Sequence, residues 1–374
     1  MPMKVTHLIK ATRIAGAERH LLILLPGLKD LGFTVRLILM VEPDKPADDF
    51  ANGLASQGVP VERIVIRRHS DVGVIGKIRM ALLNDKPDIL HTHLIHADLY
   101  GAAAGRLAGV RHLVVSRHND DPFRTHPAIK LLNRAIWASS SGGIAISEAI
   151  RRFCIEVEGA SPRKIRTIHY GLPPQPSIDL NQTRADLRRE LKLPEDAPVA
   201  GMVCRLIEQK GVSFALQAFA QLAEKHPSAH LAIVGDGPLR PALEAEAGAL
   251  GIAGRTHFLG WRDDAARCMA GFDMLLMPSL WEGFGIVMLE AMAAAVPIIG
   301  SDVSAIPEVV VNNETGYLFS SGDVDALATA LDVLLGDKPL RRHMGLLGQE
   351  RLETVFDADR MVVATADLYE GLKP

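Results

Sequence analysis

The sequence has little of what marks several classes of protein. Three of its 374 residues are cysteines, and they form no CxxC pair, so we expect a reducing compartment and no disulfide framework. The longest apolar stretch, residues 286–299, contains Glu290 and Pro297, and no run reaches the roughly 18 apolar residues of a membrane-spanning helix. The formal net charge is only −3, which argues against a nucleic-acid binder that relies on bulk positive charge.

The composition predicts a globular protein with two domains. Hydrophobic residues make up 48% of the chain and charged residues 23%, so there is ample apolar surface for a core, and the length favours two domains. Three prolines between residues 173 and 176 mark a seam, because proline continues neither a helix nor a central strand. Residues 1–170 carry a net charge of +8 and ten of the 14 histidines, whereas the remainder carries −11.

Short apolar β-type runs alternate with longer helical patterns in both halves. This alternation is typical of βαβ units, whose parallel sheets are covered by helices on both faces. The sequence therefore predicts an α/β fold with two Rossmann-like domains facing a central cleft. The predicted strands are Val5–Ile9, Thr34–Met40, Asp88–His93, Leu113–Ser116, Gly143–Ile146, Val199–Val203, His230–Val234, Thr256–Leu259, Met274–Met277 and Pro297–Gly300, and the predicted helices include Glu18–Leu28, Ser213–His226 and Leu239–Leu250.

A pair of carboxylates brackets the most informative segment. Glu282 follows a predicted strand, and Glu290 lies about one turn inside a helix predicted to begin near Ile286. Gly283 and Gly285 leave the intervening backbone without side-chain bulk, and a strand, glycine loop and helix N-terminus bind anions through free N–H groups. Carboxylates accept hydrogen bonds from vicinal hydroxyls, so sugar or ribose hydroxyls are natural partners. The structural alternative is that Glu282 caps the helix and Glu290 is a solvated helix residue.

This segment closely resembles that of the retaining GT-B glycosyltransferases of family 4, in which two glutamates are separated by seven residues. The similarity extends over essentially the whole chain, through residues 16–18, 204–211, 234–240, 258–260, 306–310 and 315–319. It implies a GT-B architecture with an acceptor-binding domain at 1–172 and a nucleotide-sugar-binding domain at 178–355. It also implies that a C-terminal helix at about 356–374 packs back on the first domain. Cys204 stands where the family usually has glycine, and such departures leave the sugar preference open.

The resemblance implies a donor site made mostly by the second domain. Arg205 and Lys210 would contact the donor diphosphate, which suits their cationic heads. Glu282 would bind hydroxyls of the donor sugar, and Glu290 would bind the ribose. The remaining donor-binding residues are Gly16, Gly260 and Trp261 at the edges of the site and Gly283, Phe284, Gly285, Ile286 and Val287 along the glutamate segment. The structural alternative for Arg205 and Lys210 is a surface ion pair.

The resemblance assigns catalytic roles to Arg205, Lys210 and Glu282 of the second domain. In the first domain it assigns a catalytic role to His118. A histidine in this loop would bond a sugar hydroxyl or assist at the reacting face. Its neighbours Arg117 and Asn119 are predicted to bind the acceptor. The structural alternative is a loop histidine whose hydrogen bonds are satisfied within the protein.

Three other patterns carry less specific signals. His91 and His93 share one face of a strand, which suits a metal, but no third ligand is evident, and the resembled family works without a bound metal. We therefore predict no metal and no cofactor. Residues 235–240 lack the third glycine of a dinucleotide fingerprint. The basic amphipathic stretch 129–137 is interpreted as a helix packed on its sheet, with an anionic membrane surface as the alternative.

The sequence thus predicts a retaining, metal-independent glycosyltransferase that uses a nucleotide-diphosphate sugar, with a UDP-sugar favoured. Its acceptor would be a saccharide or lipid-linked hydroxyl, in surface polysaccharide or glycolipid assembly, and nucleic acid is not an expected partner. We expect a cytoplasmic location, with peripheral contact at the inner face of the cytoplasmic membrane left open. The alternatives are an epimerase or phosphorylase of the same architecture and a non-catalytic nucleotide-sugar-binding protein.

Overall fold

The chain divides into two units, Met1–Pro173 with Asp357–Pro374, and Pro174–Phe356. The computed structural model describes residues 2–67, 71–173 and 179–372. Residues 174–177 of the proline seam and the last two residues of the predicted C-terminal helix lie outside these ranges. Within the described ranges, no helix is both long enough and apolar enough to cross a membrane.

The first unit is built on seven parallel strands in the order β3-β2-β1-β4-β5-β6-β7. The strands are β1 Lys4–Lys10, β2 Thr34–Val41, β3 Val61–Val65, β4 Ile89–His93, β5 His112–Arg117, β6 Gly142–Ala145 and β7 Ile165–Thr167. The helices between them are α1 Gly16–Asp30, α2 Asp48–Ser56, α3 Gly73–Asp85, α4 Leu94–Ala108, α5 Pro127–Ser139 and α6 Glu148–Glu156.

The second unit repeats this plan with six parallel strands in the order β10-β9-β8-β11-β12-β13. The strands are β8 Val199–Val203, β9 His230–Val234, β10 Thr256–Gly260, β11 Met274–Met277, β12 Ile298–Ser301 and β13 Gly316–Phe319. The helices are α7 Leu180–Glu190, α8 Val212–Gln221, α9 Arg240–Ala249, α10 Ala265–Ala270, α11 Ile286–Ala293, α12 Ile306–Val309, α13 Val324–Gly336 and α14 Lys338–Val355.

The last helix, α15 Ala358–Glu370, belongs to the first unit. Asp357 caps it by accepting hydrogen bonds from the N–H groups of Asp359 and Arg360. It packs so closely on α1 that a Cβ added at Gly27 would lie 2.6 Å from a methyl of Val362. Its residue Tyr369 is fully buried, so the C-terminal helix contributes a side chain to the core of this unit.

The α/β prediction of two Rossmann-like parallel sheets is confirmed. All ten predicted strands are present, and three of them, Val199–Val203, His230–Val234 and Met274–Met277, have the predicted bounds. The predicted helix Ser213–His226 is shorter and ends at Gln221. Strands β3, β7 and β13 were not predicted. Each of them is paired on one side only, at an end of its sheet.

In each sheet the strand order reverses between two adjacent central strands, β1 and β4 in the first unit and β8 and β11 in the second. Ligands of open α/β sheets bind outside the carboxyl ends of the strands at such switch points. Four of the predicted site residues follow these strands: Gly16 after β1, Arg205 and Lys210 after β8, and Glu282 after β11. His118 follows β5, the neighbour of β4.

Candidate active site

The glutamate segment connects β11 to α11 through a glycine in a left-handed conformation. Gly285 is the N-cap of α11 and has a φ of +79°, which favours glycine. No side chain caps this helix, so Glu282 does not act as its cap. Instead the Glu282 side chain is mostly buried and its Oε2 lies 2.5 Å from Nζ of Lys210. Two residues predicted to touch different parts of the donor therefore form an ion pair in the free protein.

The loops after β8 and β11 hold this pair in place through their backbones. The Leu280 N–H donates to the Gln209 carbonyl at 2.8 Å, and the Gln209 side-chain amide donates to the Trp281 carbonyl at 3.0 Å. Gly211, with a φ of +60°, approaches so closely that an added Cβ would lie 2.0 Å from the Pro278 carbonyl oxygen. This contact requires glycine, and it fixes the position of the adjacent Lys210.

Arg205 differs from Lys210 in its surroundings. Its side chain is exposed, and among the described residues no hydrogen bond or ion pair holds its guanidinium group. The loop that carries it packs on the turn after β9, where an added Cβ at Gly235 would lie 1.9 Å from the Cys204 carbonyl oxygen. Close packing between these two loops explains why Gly235 is a glycine, so no dinucleotide site is needed to account for it. Arg205 is thus a free cation on an anchored loop.

The other predicted donor residues occupy varied positions. Phe284 is buried and packs edge-on against Phe356 at 5.9 Å between centroids, so only its backbone is available to a ligand. Trp261 is 56% exposed. Gly283 is buried, whereas Gly285, Ile286, Val287 and Glu290 are half-buried along the start of α11, and Gly260 has a φ of +69°. Gly16 begins α1 in the first unit, and a Cβ there would meet no described atom within 4 Å.

His118 lies in a cluster of buried rings at the carboxyl edge of the first sheet. Its Nε2 is 3.1 Å from Nδ1 of His93, and its Nδ1 is 2.5 Å from the hydroxyl of Tyr170. His93 continues the chain, since its Nε2 is 3.0 Å from Nδ1 of His7. Both ring nitrogens of His118 therefore have protein partners, as the structural alternative for this residue expected.

Four members of this cluster were not predicted from the sequence: His7, His20, Tyr170 and Tyr369. His7 lies on β1 directly opposite His91 of β4 in the parallel register. His20 stacks on Tyr170 with 4.5 Å between centroids. Tyr369 reaches the cluster from α15, and its hydroxyl is 2.5 Å from Nδ1 of His91. A histidine in a buried strand was the available signal, but the pairing of β1 with β4 was needed to interpret it.

Burial keeps these imidazoles uncharged. It lowers the pKa of His7 to about 3, with a smaller contribution from His20, and it lowers the pKa of His20 to about 3. Burial, followed by the neighbouring histidines, also lowers the pKa of His91 and His93 well below the ordinary value. Burial, followed by His20 and two nearby arginines, does the same for His118. Each ring at neutral pH thus has one N–H donor and one nitrogen acceptor.

Two family models match this chain, and each covers one unit. The model of glycosyl transferases group 1 matches residues 183–351, and that of glycosyltransferase family 4 matches residues 14–175. N-acetyl-alpha-D-glucosaminyl L-malate synthase of Bacillus anthracis is 30% identical over 305 residues, which cover 80% of this chain and 78% of that protein. The chain belongs to the family 4 glycosyltransferases.

Other proteins resemble this glycosyltransferase over nearly its full length. The UDP-Gal:alpha-D-GlcNAc-diphosphoundecaprenol alpha-1,3-galactosyltransferase of Escherichia coli is 27% identical and covers 98% of this chain, with 96% of its own length matched. The crystal structure of Anabaena HepE in complex with UDP and glucose superposes with a TM-score of 0.87 at 22% identity, over 99% of this chain and all of that one. This last likeness shows the fold alone, which is GT-B.

Arg117 of the glycosyltransferase is held by carboxylates inside the first unit. Its guanidinium is fully buried, donates to Glu158 at 2.7 Å and pairs with Asp98. Asn119 is half-buried, and its Oδ1 accepts a hydrogen bond from Arg124 at 3.1 Å. The predicted contact between Arg117 and the acceptor stays a prediction, and it would require the guanidinium to leave these carboxylates. Arg117 anchors the end of β5 directly before His118.

The paired histidines of β4 in the glycosyltransferase have a third potential metal ligand that sequence spacing did not reveal. One ring nitrogen each of His7, His91 and His93 lies within 4.8 Å of the others. However, His91 already bonds Tyr369 and the Ser116 hydroxyl, the latter at 2.7 Å. All six ring nitrogens of the three histidines thus have hydrogen-bond partners inside the protein.

Proposed function

We propose that this glycosyltransferase moves a sugar, with retention of anomeric configuration, from a UDP-sugar to a hydroxyl of a saccharide or lipid-linked acceptor. The second unit would bind the donor and the first unit the acceptor. The observation that carries the proposal is the Lys210–Glu282 pair, mostly buried beside a glycine-capped helix N-terminus at the switch point of the second sheet. A cation, a carboxylate and free backbone N–H groups suit phosphate and sugar hydroxyls together.

In this proposal each group binds one part of the donor. Arg205, Lys210 and the N-terminus of α11 bind the diphosphate and stabilise the negative charge that develops as it leaves. Glu282 accepts hydrogen bonds from the sugar hydroxyls, Glu290 from the ribose, and Trp261 flanks the base. The acceptor oxygen bonds to the anomeric carbon as the bond to phosphate breaks, and the acceptor proton passes to the departing phosphate oxygen. No protein nucleophile and no metal ion takes part.

The names of the relatives support the donor and the acceptor class. One relative is named for UDP-galactose and a diphosphoundecaprenol acceptor, and one structural neighbour holds UDP and glucose. The relatives reported are a synthase and a transferase, which favours transfer over the epimerase, phosphorylase and non-catalytic alternatives. The exposed Leu131 on α5 and the positive charge of the first half are consistent with peripheral contact at an anionic membrane.

The test is calorimetric binding of UDP, GDP and ADP in EDTA, followed by the same titrations with Mg²⁺. We expect UDP to bind without metal, and Lys210→Ala to lose most of this affinity and to slow turnover about 10²–10³-fold. Lys225→Ala is the matched control, because Lys225 also pairs with a carboxylate, Asp332 at 2.6 Å, but on the exposed surface of the same unit. Equal UDP affinity in the two variants would refute the diphosphate site, and binding only with Mg²⁺ would refute metal independence.

A further inference from the structure

Seven buried side chains of the first unit form one continuous chain of hydrogen bonds. In order they are Ser116, His91, Tyr369, His7, His93, His118 and Tyr170. The links between neighbours measure 2.7, 2.5, 3.4, 3.0, 3.1 and 2.5 Å, and the longest joins the Tyr369 hydroxyl to His7. None of these side chains is more than 9% exposed, so water does not compete for the links.

The chemistry of neutral imidazole makes this chain a two-state device. A neutral ring donates from one nitrogen and accepts at the other. His7, His93 and His118 each use both nitrogens within the chain, so the direction of one hydrogen bond fixes the direction of the next. Only two consistent arrangements exist for this stretch. In one, His118 carries its proton on Nδ1 and donates to Tyr170, and in the other it carries the proton on Nε2 and Tyr170 donates to it.

The backbone at the centre of the chain is strained. Leu94, directly after His93, has a φ of +69° and begins α4 without a side-chain cap. A left-handed conformation at a residue other than glycine is unfavourable, and it persists where the surrounding structure imposes it, often at functional sites. Here it ends β4 abruptly, so that His93 stays on the strand between His7 and His118. The fold thus accepts an unfavourable backbone conformation at Leu94, directly after the residue that links His7 to His118.

A metal ion fits the same residues less well. His7, His91 and His93 could offer three ligands, but a cation would break at least two of the hydrogen bonds above. The partners of the ring nitrogens are imidazoles and hydroxyls, so among the described residues no carboxylate at these nitrogens would neutralise a buried dication. Burying an uncompensated charge is costly. Hydrogen bonding satisfies every ring nitrogen of the four histidines of the chain, and a metal does not.

We propose that His7 and His93 are positioning residues that set the tautomer of His118 and thereby the direction of the hydrogen bond to Tyr170. Tyr369 on the C-terminal helix, which bonds His7 on the other side of this stretch, is coupled to the same choice. The acceptor hydroxyl would then meet a Tyr170–His118 pair whose donor and acceptor atoms are fixed in advance. Only this last step rests on the proposed function. The coupling within the chain does not.

The experiment reads the tautomers of the full-length protein by long-range ¹H–¹⁵N NMR of labelled histidine, with His118 assigned through His118→Gln. The test variants are His7→Phe and the milder Tyr369→Phe, which removes one hydroxyl oxygen. Thr365→Val is the matched control, because Thr365 is also a buried hydroxyl of α15 but bonds only the Met361 carbonyl, at 2.9 Å. None of the three residues is placed in the donor site.

We expect both test variants to shift the ratio of the two His118 tautomers about three- to tenfold, as loss of one hydrogen bond allows, and the control to leave it unchanged. The kcat for transfer should fall with the shift while UDP affinity stays constant. An unchanged His118 spectrum in folded His7→Phe and Tyr369→Phe overturns the inference. The finding of one tightly held metal ion per protein molecule overturns it as well. Absence of UDP binding with intact tautomer coupling would instead refute the proposed function alone.

Discussion

At the scale of single residues, the ion pair between Lys210 and Glu282 gives each partner two roles. In the free protein the carboxylate neutralises the ammonium group, and their atoms are 2.5 Å apart with side-chain exposures of 18% and 10%. If Lys210 binds the donor diphosphate and Glu282 the donor sugar, substrate must separate them. The pair then holds both side chains in place until a donor with phosphate and hydroxyls at the right spacing replaces it.

This exchange predicts opposite effects for the two glutamates. Glu282→Gln removes the competitor for Lys210, so UDP should bind about threefold more tightly, as loss of a weak, partly solvated ion pair allows, while sugar transfer falls. Glu290→Gln should weaken UDP binding about tenfold or more, because it removes a charged acceptor for the ribose hydroxyls. Calorimetric titration of UDP into both variants measures the difference. Weaker UDP binding in Glu282→Gln would contradict the exchange.

Long-range contacts between single residues also limit what the sequence could predict about the candidate site. Local sequence indicated that Glu282, Lys210 and His118 each follow a strand, and the resemblance to family 4 supplied the roles predicted for them. The pairing of Lys210 with Glu282 spans 72 residues, and the contact of His91 with Tyr369 spans 278, so neither follows from local spacing. The buried ion pairs of Arg117 could not be predicted either, because its carboxylate partners lie on α4 and just beyond α6, and both reach it only in the folded sheet.

At the scale of secondary-structure elements, strand burial explains which parts of the fold could be predicted. Strands β1, β4 and β8 are buried over most of their length, and each contains adjacent apolar residues, so they are recognisable as short β-type runs. Strand β3 buries one of its five residues, and β7 is three residues long. Both strands lie at the ends of the sheet. Because an end strand has a neighbour on one side only, fewer of its side chains are buried, and its hydrophobic pattern is weak.

A buried polar network joins α5 to the end of β5 in the first unit. Glu158 accepts hydrogen bonds from Arg117, Arg124 and the Trp137 indole at 2.7–3.0 Å, and from Asn133 at 2.9 Å. Burial pushes the pKa of Glu158 upward, but Arg117 and Arg124 outweigh it and hold that pKa below the ordinary value. Glu158 thus pairs with two buried guanidinium groups, of which Arg117 also pairs with Asp98, and it holds the strand end that precedes His118.

Removing this one charge should destabilise the first unit markedly. Glu158→Gln leaves Arg117 and Arg124 with too little compensating charge, and breaking a buried ion pair costs about 3–5 kcal/mol. Urea unfolding followed by circular dichroism measures the loss. Glu156→Gln is the control, since Glu156 is exposed at the end of α6 two residues away, and surface changes fall within about 0.5 kcal/mol. Equal stability of the two variants would show that the network carries no net stabilisation.

At the scale of the whole molecule, charge and histidine content divide along the chain. The first 170 residues hold ten of the 14 histidines and a net charge of +8, and five of these histidines form the buried cluster. The two units should therefore respond differently to acid. His226 of the second unit lies instead beside a carboxylate, with its Nε2 2.7 Å from Asp332.

The buried histidines predict the direction of this response. Their folded-state pKa lies below the value of about 6.5 in the unfolded chain, so the unfolded state binds more protons between the two values. The stability they provide is therefore complete above about pH 6.5. It is lost as pH falls towards 3, the approximate folded pKa of His7 and His20. Within that window each such imidazole contributes about 1.4 kcal/mol per pH unit, so unfolding of the first unit should become steeply easier below pH 6.

Urea unfolding between pH 7.5 and 5 measures this slope, and a single substitution tests its origin. His20→Gln should reduce the change of unfolding free energy with pH by the contribution of one histidine. The substitution removes one buried imidazole, whose Nδ1 lies 3.1 Å from the Met361 sulfur. His126→Gln, at an exposed position before α5, should leave the slope unchanged. A stability that is flat between pH 7.5 and 5 would mean that the cluster takes up protons without unfolding. The neutral hydrogen-bonded chain through His118 would then be wrong as well, since a protonated imidazole donates from both nitrogens.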